Sequence, residues 1–133
     1  MKNGIEFFEK PVTDDEKDVA ALLQKIAQAV IVKDIDLLVS AYSNNASIEN
    51  LSSGDTPLNK NEYKFQMLKD IENIRDINFR DTVVRVNGQE AAISCLSIIS
   101  LRDKIFPIKN RRYYKCIKKY DKWSIVESRY VFL

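Results

Sequence analysis

Apolar positions along the chain change period once, from 3.6 to 2 near Asp76. That change separates a helical N-terminal part from a C-terminal part made of strands. In the first part Val19, Leu22, Leu23, Ile26 and Val30 recur at i, i+3, i+4, i+7 and i+11, which predicts one amphipathic helix. Thr13 stands at its N-cap, with Glu16 in the capping-box position. Asp34 is placed to cap a second helix carrying Ile35, Leu38, Val39 and Tyr42, and Asn44-Asn45 ends it. Ala46 to Leu51 is a short strand candidate, followed by a loop from Ser52 to Pro57. Asn59, with Glu62 three residues on, opens a third helix with Tyr63, Met67, Ile71 and Ile74 along one side.

Beyond Asp76 the stretch Ile77 to Val86 is β-branched and alternating, and Asn87-Gly88 is a strong hairpin signal. Glu90 to Leu101 makes the next strand, the Pro107 region turns the chain, and Ile108 to Lys119 and Trp123 to Phe132 follow across a tight turn at Tyr120-Asp121. With a two-residue connection at Ile105-Phe106, Cys95 would stand opposite Cys116, two reduced thiols close together on one face. Helices grouped before strands predict an α+β domain, with the helices on one face of a curled sheet. One domain spans residues 1–133, with 1–12 as an N-terminal extension.

Composition narrows the function. The 133 residues carry 21 basic and 19 acidic side chains, a formal charge of +2, and no His. The absence of His removes His-based triads and the commonest zinc ligand. No phosphate-cradling Gly loop, nucleophile elbow or carboxylate cluster of metal spacing is present, so no cofactor and no metal is expected. The longest apolar run, Ala29 to Val32, is far short of a membrane span, and Met1 to Lys10 lacks a signal-peptide core, which points to the cytoplasm. Residues 102–122 hold nine basic and two acidic side chains interleaved with Tyr113, Tyr114 and Tyr120. We read this stretch as a solvated strand surface rather than a nucleic-acid site.

The strand Glu90 to Leu101 is apolar on both sides, with Ile93, Cys95 and Ile99 on one face and Ala92, Leu96 and Ile98 on the other. Only one face can pack on the helices. The other, joined by Tyr113 and Ile117, has the apolar centre and charged rim of an interface and predicts a homodimer through the sheet.

The segments Lys33-Asp34-Ile35-Asp36-Leu37-Leu38, Tyr42-Ser43-Asn44-Asn45-Ala46-Ser47-Ile48 and Lys122-Trp123-Ser124-Ile125 resemble those of the nuclear transport factor 2-like superfamily. Ketosteroid isomerases and polyketide-cyclase-like proteins share its fold. The resemblance covers roughly residues 14 to 131. It implies a cystatin-like cone of three N-terminal helices packed on a strongly curved mixed or antiparallel sheet. In the ketosteroid-isomerase branch a first-helix Tyr donates to the oxyanion and an Asp acts as base. Those positions match Ile26 and Asn50, and the branch's third acid falls near Tyr114 to Cys116, where no carboxylate stands. Ile cannot donate a hydrogen bond and an amide cannot take a carbon-bound proton, so that chemistry is not expected.

Two expectations remain. The first is a non-catalytic domain binding a small apolar, amphipathic or anionic molecule through Ile26, Tyr42, Asn50, Tyr63, Met67 and Tyr114. The alternative is an isomerase, dehydratase or hydrolase using Glu127 with Arg112 or Arg129. An unbulged last hairpin would pair Tyr114 with Glu127 and Arg112 with Arg129, all on one sheet face. A bulge would reverse that facing.

Overall fold

The first long helix begins where its capping box predicts. In the computed structural model, which describes residues 4–133, the Glu16 amide donates to Thr13 Oγ1 and the Thr13 amide donates to Glu16 Oε1, both at 3.0 Å. A short strand β1 (Gly4–Phe7) precedes helix α1 (Asp14–Val32). The predicted stripe of α1 is its buried face, and Leu23 and Val19 are fully enclosed. Truncating such a Leu to Ala costs about 2–5 kcal/mol. Lys33 ends α1 in the left-handed conformation at φ 60°. Its Nζ reaches across to donate to the carbonyls of Ile71 and Ile74. Burial draws its pKa below the ordinary lysine value.

Helix α2 (Ile35–Val39) is capped by Asp34, whose Oδ1 accepts from the Leu37 amide at 3.0 Å. It is shorter than the apolar spacing suggests. Tyr42 is not on it but opens strand β2 (Tyr42–Asn50), which begins earlier than the expected Ala46. The reason is tertiary: Tyr42 pairs with Ile125 of the last strand, and that ladder overrides local helical spacing. A two-residue strand β3 (Leu58–Asn59) leads into helix α3 (Lys60–Asp70), capped by Asn59 and Glu62 as predicted. A 3-10 turn, Ile71–Asn73, follows, so Ile74 starts strand β4 (Ile74–Asn87) instead of extending the helix.

Strands β5 (Glu90–Leu101), β6 (Ile108–Lys119) and β7 (Lys122–Phe132) complete an antiparallel meander with β4. The seven-stranded sheet has the order β1-β4-β5-β6-β7-β2-β3. The pairings β1 with β4 and β2 with β7 are parallel, which makes the sheet mixed. Strand β1 lay inside the expected N-terminal extension; only four residues long, it forms on the edge offered by Asn78 and Phe79.

Register breaks bend the sheet around the helices. One falls between Arg80 and Val83, where Asp81 takes φ 52°; another lies in β7 opposite Lys115 and Cys116; a third is in β2 between Tyr42 and Ser47. Bulges of this kind sharpen the local twist and bend. The turn Tyr120-Asp121 falls where the sequence predicts, with Lys119 paired to Lys122. The core lies between α1 and the inner face of β4 to β7, centred on Leu23, Phe79, Ile93 and Ile125. Among the described residues no helix is long and apolar enough to cross a membrane.

Candidate functional site

The curved sheet does not close fully on the helices. Between its inner face and the three helices lies a cavity of about 390 Å3, near the lower end of the roughly 300–1,000 Å3 common for small-molecule sites. All six residues named from the sequence line it: Ile26 of α1, Tyr42 and Asn50 of β2, Tyr63 and Met67 of α3, and Tyr114 of β6. Tyr42 and Tyr63 stack obliquely, with ring centroids 5.4 Å apart. Asn50 Oδ1 accepts from the Ser52 amide at 2.9 Å, which fixes the side chain at the strand end. Neighbouring Glu49 points the other way and accepts from Arg129 Nε at 3.3 Å, as strand alternation requires.

Strand alternation on β6 brings Asn110, Arg112 and Tyr114 to the inner face, where each lines the cavity. Among the described residues no carboxylate pairs with Arg112. Its Nε donates to Asn110 Oδ1 at 3.3 Å, and its guanidinium stacks on Tyr130 with Cζ 4.3 Å from the ring centroid. The Tyr114 ring is 6.0 Å away on another side. Burial disfavours the charge of Arg112, but the phenols of Tyr114, Tyr63, Tyr42 and Tyr130 oppose this and the net direction is upward. The guanidinium therefore stays charged at neutral pH.

The surrounding phenols stay neutral. Burial raises Tyr42, Tyr114 and Tyr130 above the usual tyrosine range, only partly offset by Arg112. Among the described residues the buried hydroxyl of Tyr42 has no hydrogen-bond partner of good geometry, although a weaker polar interaction with the Tyr63 phenol helps to raise its pKa. Asn110 Nδ2 is likewise buried and unpartnered. Its Oδ1 is already used, accepting from Ser97 Oγ at 2.6 Å as well as from Arg112.

The last strand corrects the expected arrangement of charged residues. Because of its bulge, Tyr114 pairs with Ser128 and Arg112 with Tyr130, whereas Glu127 pairs with Lys115 and Arg129 with Tyr113. Glu127 and Arg129 are therefore exposed on the outer face, and the cluster of Arg112 with Glu127 and Arg129 does not form. Tyr130 takes the inner position, a cavity residue that uninterrupted alternation assigns to the wrong side. Asn110 could have been found from its even spacing to Arg112 and Tyr114.

The cysteines need a second correction. The β5–β6 connection spans residues 102–107, and Ile99 pairs with Ile108. Cys95 accordingly stands opposite Arg112, and Cys116 opposite Ala91. Four ladder positions, about 13 Å, separate the two residues along the strands. Both thiols are free and buried on the inner side, and burial pushes each up to about 12. They are structural and unreactive. Among the described residues no group of three or more His, Cys, Asp or Glu could hold a metal ion.

No family model matches the chain, and no curated protein matches it in sequence. Solved structures do match its fold. A protein of unknown function with a cystatin-like fold from Nostoc punctiforme aligns at a TM-score of 0.75 and 9% identity, over 94% of this chain and 96% of that one. A nuclear transport factor 2-like protein of unknown function from Pseudomonas putida gives 0.76 and 15%, over 92% and 89%. A protein from Xanthomonas campestris, described as a calcium/calmodulin dependent protein kinase II association domain, gives 0.79 and 14%, over 96% and 94%. The chain has the nuclear transport factor 2-like, cystatin-like fold. Identities this low establish the fold alone, and activity has to be argued from the cavity.

Proposed function

We propose that this chain is a non-catalytic binding domain that takes a small amphipathic or apolar molecule into its cone. The observation that carries the reading is the make-up of the cavity walls. They are mainly apolar and aromatic, and among the described residues lining them the single acid is Asp70, exposed on the rim. Asn50 and Ile26 occupy the positions where the resemblance calls for a base and an oxyanion donor. The enzyme alternative loses its support because Glu127 faces outward, away from Arg112.

A cytoplasmic homodimer is part of the same reading. Leu96, Ile98, Ile117 and the 46% exposed Tyr113 form an apolar centre on the outer face of the sheet. The two free thiols are in keeping with a reducing compartment. Native mass spectrometry of gently purified protein, followed by extraction and identification of any bound molecule, tests the binding role. A retained amphipathic compound is the expected result. Protein that emerges empty, and that no member of a broad small-molecule panel stabilises in thermal shift, overturns the proposal.

A further inference from the structure

We propose that the cavity is a receptor for a single carboxylate. Its ligand is a monoanionic amphipathic acid whose head meets Arg112, Asn110 Nδ2 and the Tyr42 hydroxyl, and whose apolar tail runs past Met67 towards the rim. The inference rests on the binding role proposed above and narrows it to a ligand class.

Three features converge on an anion. Arg112 has no carboxylate partner among the described residues, whereas Arg85 and Arg129 are paired with Glu9 and Glu49. Its Cζ lies 4.3 Å from the Tyr130 ring centroid, a contact that consumes none of its N–H groups, and the Tyr114 phenol takes part of its hydrogen-bonding capacity. Of its five N–H donors, the Nε–H is engaged by Asn110. A half-buried cation without a counter-charge is costly, and a carboxylate is the complementary partner for a guanidinium.

The neighbouring polar groups add donors rather than acceptors. Asn110 Oδ1 is fixed as the acceptor because Arg112 can only donate to it, so the buried and unsatisfied Nδ2 is a donor awaiting an acceptor. The Tyr42 hydroxyl, raised far from ionisation, is a second donor without a partner. A carboxylate offers about four acceptor sites and no proton to donate, the complement of this set.

Charge limits the head to one negative unit. Arg112 is the one cation lining the cavity among the described residues, and Asp70 at the rim opposes a second negative charge. Most of the remaining wall is apolar, and Ile26, Met67, Ile77 and Ile99 offer a tail only van der Waals contact.

Two matched pairs of probes test this by titration calorimetry: octanoate against octan-1-ol, and 4-phenylbutyrate against 4-phenylbutan-1-ol. Each acid is expected to bind at least about tenfold tighter than its alcohol, the range of a charge-assisted hydrogen bond. Arg112→Met should abolish that preference, bringing each acid to within about twofold of its alcohol. Arg112→Lys, which keeps the charge but loses the planar fork, should retain part of the preference. If acid and alcohol bind the unaltered protein equally, or Arg112→Met keeps the preference, the carboxylate assignment falls while the binding role stands. Binding of none of the four probes overturns the carboxylate assignment, and the broad panel described above then decides the binding role. Should Arg112→Met fail to fold, the comparison in the unaltered protein and in Arg112→Lys decides the matter.

Discussion

The β6–β7 turn stores backbone strain that a double substitution should release. Tyr120 and Asp121 both occupy the left-handed region, at φ 53° and 61°, and neither is Gly. A two-residue hairpin turn of this hand is the one for which Asn-Gly is preferred. For an ordinary L-residue the left-handed conformation costs roughly 1–2 kcal/mol, and less for Asp, whose side chain can bond locally. The Tyr120 ring is 95% exposed, so replacing it removes almost no packing. Gly at 121 relieves the rest but loses roughly 0.5–1 kcal/mol to chain entropy. The net expectation for Tyr120→Asn with Asp121→Gly is about 1 kcal/mol of added stability. Unfolding entropy near 2.1 cal/mol/K per residue makes this a rise in Tm of about 4 °C for a chain of this length. Calorimetry or circular dichroism melting reads it directly. Gly88 offers the converse: it adopts φ 64° with open space where a Cβ would go, so Gly88→Ala should cost about 1 kcal/mol through backbone strain alone. An unchanged or lowered Tm for the double variant, beside a neutral Gly88→Ala, would refute the strain argument.

Three further outcomes are expected. Tyr42→Phe removes a buried hydroxyl that has no partner, so urea unfolding should show unchanged or improved stability, by up to about 1 kcal/mol, where loss of a bonded hydroxyl would destabilise. Asp15 accepts from Lys118 Nζ at 3.0 Å and Trp123 Nε1 at 3.1 Å, and these bonds hold its pKa below the usual carboxylate range. Its contribution is therefore present above its unfolded value of about 3.9 and lost as pH falls through the lower folded value. Melting curves of Asp15→Asn should accordingly run below the unaltered protein at pH 7 and converge with it in acid; a gap that persists at pH 2 counts against the assignment. For the outer face, sedimentation at micromolar concentration should give twice the 15.4 kDa chain mass, and Leu96→Lys should halve it; a monomer before substitution refutes the dimer.

What the sequence could reveal depended on whether the deciding contacts were local. The caps at Thr13, Asp34 and Asn59 were legible because each side chain bonds the backbone three residues on. The stripe from Val19 to Val30 was legible because helical period and burial coincide on one face. Strand β1 was not, since Gly4–Phe7 is a strand only by virtue of an edge more than 70 residues away. The β5–β6 register differs by four residues from the one a two-residue connection implies, because the chain turns through six. That difference is even, so it preserves which residues share a face while displacing Cys95 from Cys116 to Arg112. The cavity residues keep their face for the same reason.

The bulge in β7 is different, because its offset is odd. One extra residue between Ile125 and Glu127 exchanges the faces of every position after it. Without the bulge, Glu127 would stand beside Tyr114 and the charge of Arg112 would find its partner inside the protein. With it, Glu127 and Arg129 go to the outer face, Ser128 and Tyr130 come in, and Arg112 is left stacked on a neutral ring. An internal ion pair would have satisfied the guanidinium from within the chain. The aromatic contact supports the charge without supplying a carboxylate, which is the condition the proposed anion site needs. A single backbone irregularity, invisible to alternation in the sequence, thus decides whether Arg112 faces a carboxylate of its own chain.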